Sequence, residues 1–165
     1  MRNIVLIGLP GCGKSTIGKK LAQALHRPFY DADITVVEMA GETIADMFAK
    51  SEDYFRSRES EAIRALAQKQ GIVIACGGGV VTRECNMEAL RKTGTVVFLD
   101  RSVDDIVASV DTSMRPLLKD GAERVRRLDK QRRPLYQKYS DLVVPVEEPF
   151  TKTVNKLAIR FLHKQ

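Results

Sequence analysis

The segment Asn3-Ile4-Val5-Leu6-Ile7-Gly8-Leu9-Pro10-Gly11-Cys12-Gly13-Lys14-Ser15-Thr16-Ile17 decides the fold of this 165-residue chain. An apolar run of strand length stops at Gly8, and Gly8 to Ser15 fit the pattern G-x-x-x-x-G-K-[ST]. Behind them Ile17, Leu21, Ala24 and Leu25 recur at helical spacing, so the glycine loop stands between a buried strand and an amphipathic helix. Glycines let such a loop curl until its N–H groups face phosphate oxygens, and the helix start adds partial positive charge. Gly11, Cys12, Gly13, Lys14, Ser15 and Thr16 are therefore candidate ATP-phosphate residues. Lys14 would reach the β- and γ-phosphates, and the Ser15 hydroxyl is placed to ligate Mg²⁺.

Working outward, short apolar runs at 28–30, 72–75, 95–99 and 142–146 each precede a helix-like stretch. Continuous runs of this kind suit strands covered on both faces, so the chain reads as α/β, a parallel sheet between two helical layers. Phe55, Ala62, Ile63 and Leu66 mark one further helical face, and Val154, Leu157, Ala158, Phe161 and Leu162 another. The segment 33–60 is too long for a simple crossover and reads as a helical insertion. A Met-Arg-Pro turn and a glycine within 112–122 suit a mobile lid.

Length fits a single domain with a core of its own, and 44% apolar with 29% charged residues is an ordinary globular balance. The apolar run at Ile4–Ile7 is too short for a signal or a membrane span, which points to the cytoplasm and away from a membrane. Cys12, Cys76 and Cys85 form no Cys-x-x-Cys, and His26 and His163 lie far from them, so the cysteines read as reduced thiols. Of the net charge of +6, most sits between Arg115 and Arg133, where eight Lys or Arg meet three acids. Such a cluster suits nucleic acid, or a lid that closes over polyphosphate. Without a recognised nucleic-acid module or interleaved aromatics, the lid is the better reading. Asn-Lys-x-Asp, the guanine reader of common GTPases, does not occur.

Asp31 and Asp33 stand two apart at the end of the second predicted strand, where open α/β sheets place ligands. One acid could serve a metal and the other an alcohol nucleophile, or both could be helix caps. Arg56 and Glu59 share a helical face, and Gly77-Gly78-Gly79 follows the third strand with N–H groups free to meet a polar ligand.

Together these motifs resemble the shikimate kinase family over nearly the whole chain: the phosphate loop, D-x-D at Asp31 and Asp33, F-R-x-x-E at Phe55, Arg56 and Glu59, G-G-G at Gly77 to Gly79, R-P-L-L at Arg115 to Leu118, and R-x-P-L-Y at Arg132 to Tyr136. The resemblance implies a nucleoside-monophosphate-kinase-like fold with strand order 2-3-1-4-5. It implies transfer of the γ-phosphoryl of ATP to the 3-hydroxyl of shikimate, in aromatic amino-acid biosynthesis by way of chorismate, with Mg²⁺ as cofactor and a monomeric enzyme. Asp33 would hold the reacting hydroxyl and Asp31 would support Mg²⁺ through water. Arg56, oriented by Glu59, and Arg132 would grip the shikimate carboxylate, a task suited to planar forks. Gly78 and Gly79 would meet the ring hydroxyls, and Arg115 would swing in to stabilise phosphoryl charge.

Arg58 and Arg133 lie close to the two fork positions, which the motif register alone assigns. Family members often carry another Arg shortly before R-P-L-L that stacks on adenine, and residues 107–114 hold none. The loop Glu147-Glu148-Pro149 is the other expected adenine wall. A kinase for another carboxylated polyol such as gluconate is the nearest alternative, because two arginines read a carboxylate and not a ring. An ATP-dependent RNA-binding protein using the basic segment is a second.

Overall fold

The computed structural model describes residues 1–109 and 115–163, with backbone alone for 115–120. Five parallel strands, β1 (Asn3–Ile7), β2 (Phe29–Asp31), β3 (Val73–Ala75), β4 (Gly94–Asp100) and β5 (Leu142–Pro145), form one sheet in the order β2-β3-β1-β4-β5. This is the order the family resemblance implies. β1 lies at the centre and is buried along its whole length, paired to β3 through Ile4 and Val73 and to β4 through Leu6 and Val97. Each of its Ile, Val and Leu side chains contributes about 1.5–3 kcal/mol by leaving water. The continuous apolar run is thus explained by cover on both faces.

Eight α-helices flank the sheet among the described residues. They are α1 (Lys14–Leu25), α2 (Ala32–Ala40), α3 (Ile44–Lys50), α4 (Glu52–Ala67), α5 (Glu84–Thr93), α6 (Val103–Ala108), α7 (Arg115–Tyr139) and α8 (Phe150–Leu162). α1 packs against α8, and α4 against α5. The buried face of α1 is Ile17, Gly18, Leu21, Ala22 and Leu25, whereas Ala24, expected there, is exposed. At 3.6 residues per turn position 24 falls just beyond Ile17, at the edge of a buried face that extends the other way through Leu21, Leu25, Gly18 and Ala22. Leu162 is likewise half exposed, one residue past the last buried position of α8, Phe161. Among the described residues no helix is long and apolar enough to cross a membrane.

The expected insertion is the helical trio α2–α4, which starts at Ala32 and continues to Ala67. It closes over a small apolar cluster of its own, Val36, Met47, Phe55 and Ala62. Its helices begin on side-chain caps: the Asp31 carboxylate, Thr43 hydroxyl and Ser51 hydroxyl accept from the N–H groups of Asp33, Asp46 and Tyr54. Of the expected lid, residues 112–114 fall outside the described residues. The backbone from 115 onward is already the start of α7, which continues through Gly121.

Candidate active site

Three loops at the C-terminal ends of β1, β2 and β3 converge on one crevice. α1 starts on Gly13 at φ 99°, with no capping side chain and no acid in its first turn. Unlike α2 to α4, it leaves its first N–H groups to an anion. Gly8 at φ 152° and Gly11 at φ 84° complete a curl closed to side chains, for a Cβ on Gly8 would stand 2.7 Å from the Leu99 carbonyl oxygen. The Lys14 ammonium donates to the carbonyls of Gly8 (2.7 Å) and Leu9 (3.0 Å), so it lies folded over the loop's inner wall. Cys12 does not present its N–H outward: it donates to Leu9 O at 3.1 Å, and the side chain is buried against Gly8. Gly13, Lys14, Ser15 and Thr16 line the open side.

The Ser15 hydroxyl donates to Asp31 Oδ2 at 2.7 Å, and Asp31 Oδ1 accepts from the Asp33 N–H at 3.0 Å. Asp31 is thus both the cap of α2 and the partner of the phosphate-loop hydroxyl. The Asp33 carboxyl is pushed above the ordinary aspartate range, chiefly by burial and then by the Asp31 charge, while Lys14 and Arg56 pull it back. Glu59, 1% exposed, is raised mainly by burial as well, with the Arg56 cation opposing.

Gly77, Gly78 and Gly79 make room for the protein's own functional side chains. A Cβ on Gly77 would stand 2.9 Å from Asp33 Oδ1 and 3.1 Å from Glu59 Oε2. On Gly78 it would stand 2.8 Å from Pro10 and 3.2 Å from Arg132 Nη1, and on Gly79 it would collide with Arg56 Nη2 at 2.2 Å. All three carbonyls are engaged within the fold: Gly77 O by the Val80 N–H, Gly78 O by the Tyr136 hydroxyl at 2.6 Å, and Gly79 O by the Thr82 N–H. The triplet's carbonyls are thus taken up within the fold.

Arg56 Nη1 donates to Glu59 Oε1 at 2.9 Å, and its guanidinium lies over the rings of Phe55 and Phe48. Arg132 faces the same hollow. The neighbours turn elsewhere: Arg58 pairs with Glu61 at 3.0 Å, and Arg133 holds Asp100 at 2.9 Å and Asp129 at 3.0 Å, docking α7 on β4. Of these four arginines Arg56 and Arg132 line the crevice, and Arg58 and Arg133 do not. Arg115 begins α7, and its side chain lies outside the described residues.

Two hollows result. One, about 360 Å³, is lined by the phosphate loop with Asp31 and Asp33. The other, about 180 Å³, is lined by Phe48, Phe55, Arg56, Glu59, Arg124 and Arg132. They meet at Pro10, Asp33, Gly77 and Gly78. A larger groove of about 550 Å³ sits at the opposite edge of the sheet, where Arg2 donates to the carbonyls of Arg91 and Gly94 and Arg91 is drawn to Asp141. It has no part in the crevice.

Sequence reasoning missed three participants. Tyr136, fully buried and tilted against Phe98, anchors Gly78; it was legible only as the last letter of R-x-P-L-Y, four residues after Arg132 and so on the same helical face. Arg124 lines the smaller hollow two turns ahead of Arg132 on α7, with no motif to mark it. Arg101, 5% exposed, joins the phosphate loop to the β5–α8 loop, and it looked like one more charge after a strand.

Comparison with known proteins bears on the family and the fold. The family model for shikimate kinase matches residues 10–162. The shikimate kinase of Clostridium botulinum (strain Eklund 17B / Type B) is 46% identical over 145 residues, 87% of this chain and 88% of that protein. That of Clostridium beijerinckii is 39% identical over 158 residues, 95% of this chain and 94% of its own. Among solved structures, shikimate kinase from Acinetobacter baumannii in complex with shikimate superposes with a TM-score of 0.90 at 31% identity, covering 100% of this chain and 95% of that one. The enzyme from Aquifex aeolicus gives 0.84 at 34% identity, over 98% and 97%. With the phosphate loop, the acid pair, the guanidinium pair and the glycine triplet in one crevice, and with likeness along nearly its entire length, this chain belongs to the shikimate kinase family.

Proposed function

We propose that this chain, as one kinase domain, transfers the γ-phosphoryl group of ATP to the 3-hydroxyl of shikimate, releasing shikimate 3-phosphate and ADP. The observation behind this assignment is the junction of the two hollows at Asp33, which puts one desolvated carboxylate where a phosphoryl donor and an alcohol acceptor would meet. Arg56 and Arg132 hold the shikimate carboxylate, with Glu59 fixing the Arg56 fork. The N–H groups of Gly78 and Gly79 meet ring hydroxyls. Asp33 orients the reacting hydroxyl and takes its proton as the oxygen attacks phosphorus, a role its raised pKa favours. Lys14 and the first N–H groups of α1 hold the triphosphate, and Arg115 adds charge when the 112–122 lid closes.

Ser15 and Asp31 fit a magnesium ion. Their oxygens are 2.7 Å apart, and Mg²⁺ uses one or two protein ligands beside phosphate and water rather than a full protein cage. Among the described residues no cluster of three His, Cys, Asp or Glu suggests another metal site. Bound there, the ion would neutralise charge on the β- and γ-phosphates.

ADP release from MgATP, measured in parallel with shikimate, gluconate, AMP and no acceptor, tests the assignment. Stimulation by shikimate alone is expected. A protein that binds ATP yet responds only to gluconate, or to none of the three, would refute the acceptor while leaving the phosphate loop in place.

A further inference from the structure

Among the described residues Arg101 is the most enclosed cation on the phosphate-loop side of the crevice. It directly follows β4, and at 5% exposure it is more deeply buried than Lys14 or Arg56. One guanidinium nitrogen donates to the Gly11 carbonyl of the phosphate loop at 2.9 Å and also lies 3.4 Å from the Ser109 hydroxyl. The other is paired with Glu148. The guanidinium plane lies over the Phe150 ring, 5.2 Å from its centroid, and Phe150 in turn fills the space where a Cβ on Gly13 would stand, 2.9 Å away. Its Nε is buried with no hydrogen-bond partner among the described residues. One side chain therefore ties together the ends of three neighbouring strands: β1 through Gly11, β4 by its own position, and β5 through Glu148.

The sheet order gives these contacts a purpose. The acceptor hollow stands over the ends of β2 and β3, on one side of β1. A triphosphate whose γ-end meets Asp33 must run the other way, over the ends of β4 and β5, where Arg101 and Glu148 lie. Burying a guanidinium is costly unless it is paired, and here the pairing spans two separate loops, the Gly11 carbonyl on one and the Glu148 carboxylate on the other, so the charge at this depth fixes their relative position. We propose that Arg101 is a nucleotide-positioning residue: by bridging the Gly11 carbonyl and the Glu148 carboxylate it sets the phosphate loop against the 147–149 loop, and so fixes the spacing between triphosphate and base. Glu148, with its side chain 66% exposed, contributes almost nothing to the core. Its part in the bridge is separable from folding.

The proposal rests on the kinase assignment for its substrate, but its test does not need turnover. Binding of MgADP is measured by titration calorimetry for Arg101→Met, Arg101→Lys, Glu148→Gln and the Arg101→Met/Glu148→Gln double variant, with thermal unfolding of each and shikimate kinetics in parallel. Glu148→Gln should unfold at the wild-type temperature yet bind MgADP about tenfold more weakly, the loss expected for one charge-assisted hydrogen bond. Arg101→Met should lose at least as much, Arg101→Lys should recover part of it, and the double variant should be no worse than Arg101→Met, because one bridge is broken once. KM for ATP should follow the binding constant, while KM for shikimate and kcat stay near wild type. Unchanged MgADP affinity in Glu148→Gln, or losses in Arg101→Met that merely track its unfolding temperature, would reduce Arg101 to a structural ion pair and overturn the proposal. Shikimate inactivity of the wild-type protein would instead overturn the acceptor assignment and leave these binding results to be read as they stand.

Discussion

Arg56 Nη2 occupies the space where any side chain at Gly79 would have to be, 2.2 Å from a Cβ built there, while its Nη1 is held 2.9 Å from Glu59. The guanidinium is clamped between an acid and a glycine, and it lies over the stacked rings of Phe48 and Phe55. The fork that would meet the acceptor carboxylate has only one place to lie.

Gly79→Ala therefore displaces Arg56 rather than a flexible bystander. Displacement on the order of 1 Å is expected to lower kcat/KM for shikimate about 100-fold, with MgADP affinity unchanged. Steady-state kinetics with each substrate varied in turn checks this; equal losses on both sides would show that the whole crevice had collapsed.

Glu59→Gln keeps the shape of the Arg56 clamp but removes its charge. KM for shikimate should rise about tenfold, the size of one charge-assisted hydrogen bond, while kcat changes little. Initial rates across a shikimate series will show whether the KM and kcat effects separate.

Asp33→Asn should nearly abolish turnover without destabilising the fold. Burial raises the Asp33 pKa, so between its unfolded and folded values the native state binds the extra proton, and stability falls as pH rises through that window. The penalty is fully present above the folded value and absent below the unfolded one. Thermal unfolding should thus show the Asn variant at least as stable as wild type at neutral pH, with any advantage closing in acid. The acid limb of wild-type kcat/KM should lie above the ordinary aspartate value of about 3.9.

Ser15→Ala removes the hydroxyl bonded to Asp31. The Mg²⁺ concentration for half-maximal activity should increase about tenfold or more, as commonly follows loss of a group that holds or orients a metal. Metal titrations at saturating ATP will reveal it, and an unchanged requirement would remove Ser15 from the ion's surroundings.

Tyr136→Phe leaves the buried Gly78 carbonyl without its donor and should cost about 1–3 kcal/mol in unfolding free energy. Burial pushes the phenol up to about 12, so its hydroxyl keeps donating through mildly alkaline pH. Chemical denaturation of the variant measures the loss.

The phosphate loop was legible because a local pattern specifies local geometry: glycines at Gly8, Gly11 and Gly13 permit positive φ that other residues resist, and Lys14 and Ser15 follow at fixed spacing. The parallel sheet was legible too, since runs such as Ile4–Ile7 require cover on both faces. Ala24 and Leu162 show the limit of that reading, because periodicity finds a helical face but not its edges. The order of the strands came through family likeness, for no single run states its neighbours.

The glycine triplet marks the boundary most clearly. Sequence alone determined that the chain must turn closely after β3, that it holds a phosphate cradle, and that acids and arginines of defined spacing accompany it. Only the tertiary structure decided that Gly77, Gly78 and Gly79 yield their space to Asp33, Glu59, Arg132 and Arg56, that Arg56 and Arg132 rather than Arg58 and Arg133 line the crevice, and that Arg101 spans three strand ends. The reason is physical: backbone conformation and the apolar periodicity of a helix or strand are set by near neighbours in sequence, whereas side-chain clearance and charge pairing depend on segments tens of residues apart that meet only when the sheet has formed.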